Sequence, residues 1–136
     1  MNARVFVQAE GSLATAPYNA GVRDGNLVFV AGQIGLDEAG QVVAGGVVPE
    51  AAACLEAVET VLAACNASLR DVVKTTVFLI DWDDYGDFND VYRRYFESGL
   101  PARSTVQVAG LARGARIEIE AIAVIEPAAP NSRAVS

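Results

Sequence analysis

The sequence predicts an α+β fold in which two helices cover one face of a single sheet. Short segments of alternating apolar and polar residues, rich in β-branched and aromatic side chains, are typical of strands. Two longer segments repeat apolar residues every three or four positions, which is typical of helices packed on a core. The resulting order is β-β-β-α-β-α-β-β. A length of 136 residues fits one domain, over 1–136.

The N-terminal part of the chain predicts three strands. They cover Arg4–Gln8, Asn19–Arg23 and Leu27–Ala31. Gly25 lies in the Asp-Gly-Asn turn between the second and third strands, where glycine readily adopts a positive φ. The segment 32–46 carries several glycines and acidic residues and predicts a loop.

Each helix is predicted from a stripe of apolar residues. The first begins at Pro49, which needs no N–H partner in a first turn, and ends at 66–68. The second follows the acidic turn Asp81–Asp84 and is closed by Ser98 and Gly99. The residues expected to face the core are Ala51, Cys54, Leu55, Val58, Val61, Leu62 and Cys65 in the first helix, and Phe88, Val91, Tyr92, Tyr95 and Phe96 in the second.

Three further strands, Val72–Ile80, Thr105–Ala109 and Arg116–Ile125, complete the predicted sheet. A tail rich in Pro, Ala and Ser, over 126–136, predicts a flexible terminus. The last strand carries apolar side chains on both faces, with Ile119 and Ile122 on opposite sides. Because two helices can cover only one face, the other face is expected to be buried against further copies of the chain.

Composition excludes several kinds of chemistry. The chain has no histidine, which rules out Ser–His and Cys–His catalysis and zinc held by histidine. Cys54 and Cys65 lie about 16 Å apart along one predicted helix, too far for a disulfide. The net charge of −7 disfavours nucleic-acid binding, and no phosphate-binding or dinucleotide motif is present, so no cofactor is expected. Lacking a signal sequence and a long apolar run, the protein is expected in the cytoplasm, away from membranes.

Arg103 and Glu118 are the candidate site residues that chemistry favours most. If the strand after Arg103 and the strand that holds Glu118 pair as a hairpin, these two side chains and Thr105 share one face. An arginine binds a carboxylate through its planar fork, and a part-buried glutamate orients and deprotonates water. Together they suit the attack of water on the α-carbon of a small imino acid. The spacing leaves two alternatives open: a structural salt bridge between Arg103 and Glu118, or two strand ends whose charged groups are solvated.

Three segments carry a resemblance to a known family. Pro101–Val124 (PARSTVQVAGLARGARIEIEAIAV) resembles the signature of the RidA family, the reactive intermediate deaminases, also known as the L-PSP endoribonuclease or translation-inhibitor family. Ala16–Gly35 and Val72–Phe96 are similar to the family's N-terminal motif and central block. The resemblance implies a chorismate-mutase-like fold and a homotrimer with three clefts between subunits.

The resemblance also implies roles for single residues. Arg103 corresponds to the family's carboxylate-binding arginine and Glu118 to its water-orienting glutamate. The implied substrate-binding residues are Tyr18, Gly32, Asn89 and Thr105. Thr105 stands where many members carry cysteine, and Ala31 stands where many carry serine, which leaves the substrate preference open.

The implied activity is hydrolysis of 2-imino or enamine acids, such as 2-aminoacrylate, to 2-keto acids and ammonia. Two alternatives stand beside it: a non-catalytic trimer that binds small carboxylate metabolites, and a catabolic deaminase of a larger substrate. The ribonuclease activity in the older family name is disfavoured by the sequence pI of about 4.4 and by the missing histidine.

Overall fold

A computed structural model describes residues 3–11 and 14–126. Within these ranges it contains six strands and two α-helices in the predicted order. The strands are β1 (Val5–Gln8), β2 (Asn19–Asp24), β3 (Leu27–Gln33), β4 (Val72–Leu79), β5 (Ala102–Gln107) and β6 (Ile117–Val124). The helices are α1 (Val47–Ala64) and α2 (Tyr85–Tyr95), and short 3₁₀ turns cover Leu69–Asp71, Trp82–Asp84 and Ala112–Gly114.

The six strands form one mixed sheet in the order β1-β2-β3-β6-β4-β5. β6 lies between β3 and β4 and is antiparallel to both, whereas β5 runs parallel to β4 at one edge. The last two strands therefore do not form the hairpin on which a shared face for Arg103 and Glu118 depended. Parallel neighbours need a long crossover connection, and α2 provides it between β4 and β5. β6 then returns on the other side of β4, where alternate residues of the strand are buried.

Both helices cover the same face of the sheet, as the apolar stripes predict. All residues of the α1 stripe and of the α2 stripe are buried except Tyr95, which is partly buried against the core. On the sheet side they meet Val28, Val30, Ile117 and Ile119, which are also buried. Burial of each such side chain stabilises the fold by about 1.5–3 kcal/mol, so this layer is the main source of stability.

The start of the first helix differs from the prediction, whereas the start of the second agrees with it. α1 begins at Val47, two residues before Pro49. Gly46 precedes it with a φ of +92°, a conformation that glycine adopts easily, and so the chain turns into the helix earlier than the proline indicates. α2 starts at Tyr85, directly after the acidic turn, as predicted. That turn folds as a 3₁₀ turn in which the Asp81 carboxylate accepts a backbone N–H.

The second face of the sheet carries an apolar row that neither α1 nor α2 covers. Phe6, Val22, Phe29 and Ile122 are paired in register across β1, β2, β3 and β6. Phe6 is 58% exposed and Phe29 is 43% exposed. This row is the apolar surface that the two-sided strand pattern indicated on the second face of the sheet. Burial of that face against further copies of the chain stays a prediction.

The predicted flexible tail, 126–136, lies outside the described residues apart from Glu126. In the described part of the chain, neither helix combines the length and the apolar character that a bilayer span requires.

Candidate functional site

Tyr18, Gly32 and Glu118 line one open cleft of about 580 Å³, named here the Glu118 cleft. Its other walls come from β1, from the loop after β3 and from one side of α1. Glu118 alternates along β6 with Ile117 and Ile119, which are fully buried, and it is itself only partly buried. Its carboxylate is therefore held by a rigid central strand and still reaches solvent.

A close approach between Gly32 and Glu118 determines where the carboxylate lies. A Cβ atom at position 32 would lie 2.8 Å from Cδ and 3.1 Å from Cγ of Glu118, and it would overlap Oε2. Carbon atoms normally meet at about 3.5–4.0 Å, so a side chain at this position excludes the observed carboxylate position. The resemblance to the family implied a role for Gly32. The structure gives a physical reason for glycine at this position, because any side chain would collide with the Glu118 carboxylate.

Burial raises the pKa of Glu118 above its ordinary value, and the nearby Glu120 carboxylate raises it further. Both causes act against the charged form of the side chain. A carboxylate whose pKa is raised toward neutrality is a stronger base, so it is better suited to take a proton from water and to return it.

Cys54 lies behind this cleft as a structural residue. Its thiol donates a hydrogen bond of 2.9 Å to the carbonyl oxygen of Gln33 at the end of β3. Burial raises the pKa of the Cys54 thiol, so the sulfur keeps its proton and remains a donor. Cys54 and Cys65 are both buried and free, as predicted. Within residues 3–11 and 14–126, no three His, Cys, Asp or Glu side chains come together as a metal site.

Arg103 lies within β5 and lines a separate groove of about 260 Å³ beside α2, named here the Arg103 groove. Its Nη2 donates to Asn89 Oδ1 at 2.9 Å and to the Tyr85 hydroxyl at 3.2 Å. The guanidinium also lies over three aromatic rings, with Cζ 5.6 Å from the centre of Tyr85, 5.2 Å from Phe88 and 4.8 Å from Tyr92. These contacts hold a positive charge in one orientation at the edge of the sheet.

Arg103 and Glu118 lie on opposite faces of the sheet. Arg103 pairs with Thr75, which is buried under α2, whereas Glu118 pairs with Phe78 on the same strand, β4. Positions an odd number of residues apart on one strand point to opposite faces. Thr105 follows Arg103 by two positions and shares its face.

One chain therefore holds the predicted site residues in two separate places. The expectation that Arg103, Thr105 and Glu118 share a face is wrong for a single chain, because β5 pairs with β4 and not with β6. The structure brings together Tyr18, Gly32 and Glu118 in one place and Asn89 with Arg103 in another.

Sequence reasoning missed a network of three residues, Glu50, Asp84 and Arg116, that connects the start of β6 to the two helices. Arg116 donates its backbone N–H to the buried Glu50 carboxylate of α1 at 2.6 Å. Its guanidinium forms a two-point ion pair with Asp84, next to α2, at 2.9 and 3.1 Å. Burial raises the pKa of Glu50, although the N–H groups of Arg116 and Ile117 oppose the shift. The network ties the start of β6 to both helices.

Tyr85 was missed as well, although a signal for it exists. It precedes Asn89 by four positions on a helix, and residues at that spacing lie on the same helix face. By contrast, Glu50 gives no local signal, since its backbone partners lie far along the chain.

Sequence and fold comparisons point to one family. The family model described as Endoribonuclease L-PSP matches residues 9–125. The chain belongs to this family. It is the family to which the RidA resemblance pointed, and the predicted fold class is confirmed by the structures of its members.

Individual relatives are similar over most of their length. A 2-iminobutanoate/2-iminopropanoate deaminase from Mus musculus is 44% identical over 91% of this chain and 93% of its own. A crystal structure from Thermotoga maritima has a TM-score of 0.85 and 45% identity, covering 90% of this chain and 98% of that one. E. coli TdcF with bound serine has a TM-score of 0.79 and 38% identity, covering 89% and 94% of the two chains.

Proposed function

We propose that this protein is a hydrolytic deaminase that converts 2-imino acids and their enamine tautomers to 2-keto acids and ammonia. Relatives named 2-iminobutanoate/2-iminopropanoate deaminase, 42–44% identical to this chain, support the activity. The serine bound to E. coli TdcF supports a site for a small molecule with a carboxylate. The observation that carries the proposal is the pair of half-sites, one holding a fixed cation and the other a basic carboxylate.

A site that uses both groups is complete only between two copies of the chain. The uncovered row that contains Phe6 and Phe29 supplies apolar surface for that contact. In a cyclic homotrimer, each interface would join the Glu118 cleft of one copy to the Arg103 groove of the next. Every chain would then contribute to two sites.

The reaction follows from the chemistry of the two groups. Arg103 binds the substrate carboxylate and so sets the imine carbon beside the Glu118 cleft. Glu118 accepts a proton from water as the water oxygen bonds to the imine carbon. The proton then passes to the imine nitrogen, which gives a carbinolamine with one hydroxyl and one amino group. A second proton moves from that hydroxyl to the nitrogen as the C–N bond breaks, so ammonia and the 2-keto acid leave. The sum is one imine and one water consumed, which needs no redox partner.

The remaining residues have supporting roles in this proposal. Gly32 leaves space for the Glu118 carboxylate, and Asn89 holds the Arg103 guanidinium. Tyr18 is 47% exposed on the wall of the Glu118 cleft, where its hydroxyl is available to a ligand. Thr105 places a second hydroxyl on the face of Arg103.

Mixing two inactive variants tests the shared site directly. Arg103→Ala and Glu118→Gln are each expected to remove turnover of 2-iminobutanoate generated in the assay. If equal amounts of the two variants are unfolded together and refolded into random trimers, about a quarter of all interfaces regain both intact groups. We expect activity near that fraction of wild type. Refolded mixtures with no activity, when light scattering shows that they are trimers and wild type refolded in the same way is active, would contradict a site made by two chains.

The activity itself is tested by ammonia and 2-ketobutyrate release from 2-iminobutanoate. Wild-type protein that binds 2-ketobutyrate in calorimetry but releases neither product faster than buffer would favour a non-catalytic carboxylate-binding trimer. Faster release from larger imines than from 2-iminobutanoate would favour the alternative of a larger substrate.

A further inference from the structure

The Tyr85 hydroxyl lies where it would share the binding of the substrate with Arg103. We propose that Tyr85 donates a hydrogen bond to the substrate carboxylate, while the Arg103 guanidinium donates the other. This inference rests on the proposed function, because it takes the Arg103 groove as the carboxylate site. It adds a substrate-binding residue that the family resemblance did not imply.

The geometry of the guanidinium carries the first step. An arginine offers two pairs of parallel N–H bonds, one formed by Nε with Nη2 and the other by Nη1 with Nη2. In this protein Nη2 donates to both Asn89 and Tyr85, so its two hydrogens are engaged. A carboxylate therefore finds no free parallel pair on Arg103. It can take a single N–H from Arg103, and it needs a second donor from elsewhere.

The Tyr85 hydroxyl is suited to be that donor. Its oxygen accepts the Nη2 hydrogen at 3.2 Å, which leaves its own proton free to point elsewhere. Tyr85 is 38% exposed and lines the groove together with Arg103. The Tyr85 hydroxyl thus adds one donor beside the N–H groups of Arg103, whose positive charge attracts the substrate carboxylate.

A second set of contacts fixes Tyr85 relative to the strand that carries Arg103. The rings of Trp82 and Tyr85 are in contact, with their centres 4.9 Å apart. The backbone N–H of Trp82 donates to the side chain of Gln107 at 2.9 Å, and Gln107 lies on β5 as Arg103 does. Arg103 and Gln107 are four positions apart and share a face. Two connections therefore link Tyr85 to β5: its own hydrogen bond with Arg103 and, through Trp82, the hydrogen bond to Gln107.

The test compares Tyr85→Phe with wild type in the intact oligomer, and 2-ketobutyrate is the carboxylate probe. We expect its dissociation constant in calorimetry to rise about fivefold, the effect of losing one modest hydrogen bond. With 2-iminobutanoate as substrate, KM should rise by a similar factor while kcat stays within about twofold, because the carboxylate is bound alike in ground and transition states. The melting temperature should not change, since the ring and its contact with Trp82 remain.

Tyr95→Phe is the matched control, because its hydroxyl donates to Glu56 at 3.1 Å, away from the groove. It should leave the affinity and KM unchanged. Unchanged 2-ketobutyrate binding by Tyr85→Phe would overturn the inference. Tighter binding would overturn it too, since it would mean that Tyr85 competes with the substrate for Nη2. If wild type binds 2-ketobutyrate but has no turnover, the proposed function fails while the binding comparison still decides the role of Tyr85.

Discussion

Gly32→Ala is the change that most directly tests the position of the Glu118 carboxylate. The new methyl group would lie 2.8 Å from Cδ of Glu118, where carbon atoms normally keep about 3.5–4.0 Å. Glu118 ends in a flexible carboxylate, so we expect that group to move by about 1 Å and the backbone to stay in place. A misplacement of about 1 Å can slow a reaction about a hundredfold. We therefore expect kcat to fall by about two orders of magnitude with little change in stability.

The assay measures kcat for 2-iminobutanoate together with the urea unfolding midpoint. Gly21→Ala is the matched control, because its Cβ would lie 2.5 Å from Cγ1 of Val61, a buried and stiff residue of α1. That variant should lose stability and keep kcat per folded protein. The two glycines thus separate a displaced carboxylate from a disturbed core.

Wild-type kcat in a folded Gly32→Ala variant would refute the reasoning. It would mean that the carboxylate position set by Gly32 has no bearing on the rate. A loss of stability equal to that of Gly21→Ala would refute it differently, because the backbone rather than the carboxylate would then have moved.

Three further predictions concern charge, assembly and packing. Glu120→Gln removes one cause that raises the pKa of Glu118, so the acid limb of the pH–rate profile should move to lower pH; a shift to higher pH would contradict the sign. Phe29→Glu places a charge in the uncovered apolar row and should give an inactive monomer in light scattering; an active trimer would exclude that row as the interface. Glu50→Ala leaves the N–H groups of Arg116 and Ile117 without their acceptor, so the free energy of unfolding measured in urea titrations should fall by about 2 kcal/mol. An unchanged free energy would show that water replaces the carboxylate.

The order of the elements and the core residues were predictable from the chain alone. The stripe from Ala51 to Cys65 recurs with the helical period, and the alternation in β6 predicts a strand with two apolar faces. Such patterns depend only on near neighbours, which is why they can be read without a structure. Among the site residues, Gly32 and Asn89 came from family motifs and not from spacing.

Strand pairing and the meeting of distant groups were decided by the tertiary structure. Whether β6 pairs with β5 or β4 depends on which neighbour buries its apolar faces, and no local pattern encodes that choice. This pairing places Arg103 and Glu118 on opposite faces, and it brings Arg116 to Glu50 across the fold. The sequence by itself determined the kinds of element, the core and the candidate groups. Only the folded sheet decided which of those groups meet within one chain, because side-chain direction alternates with register.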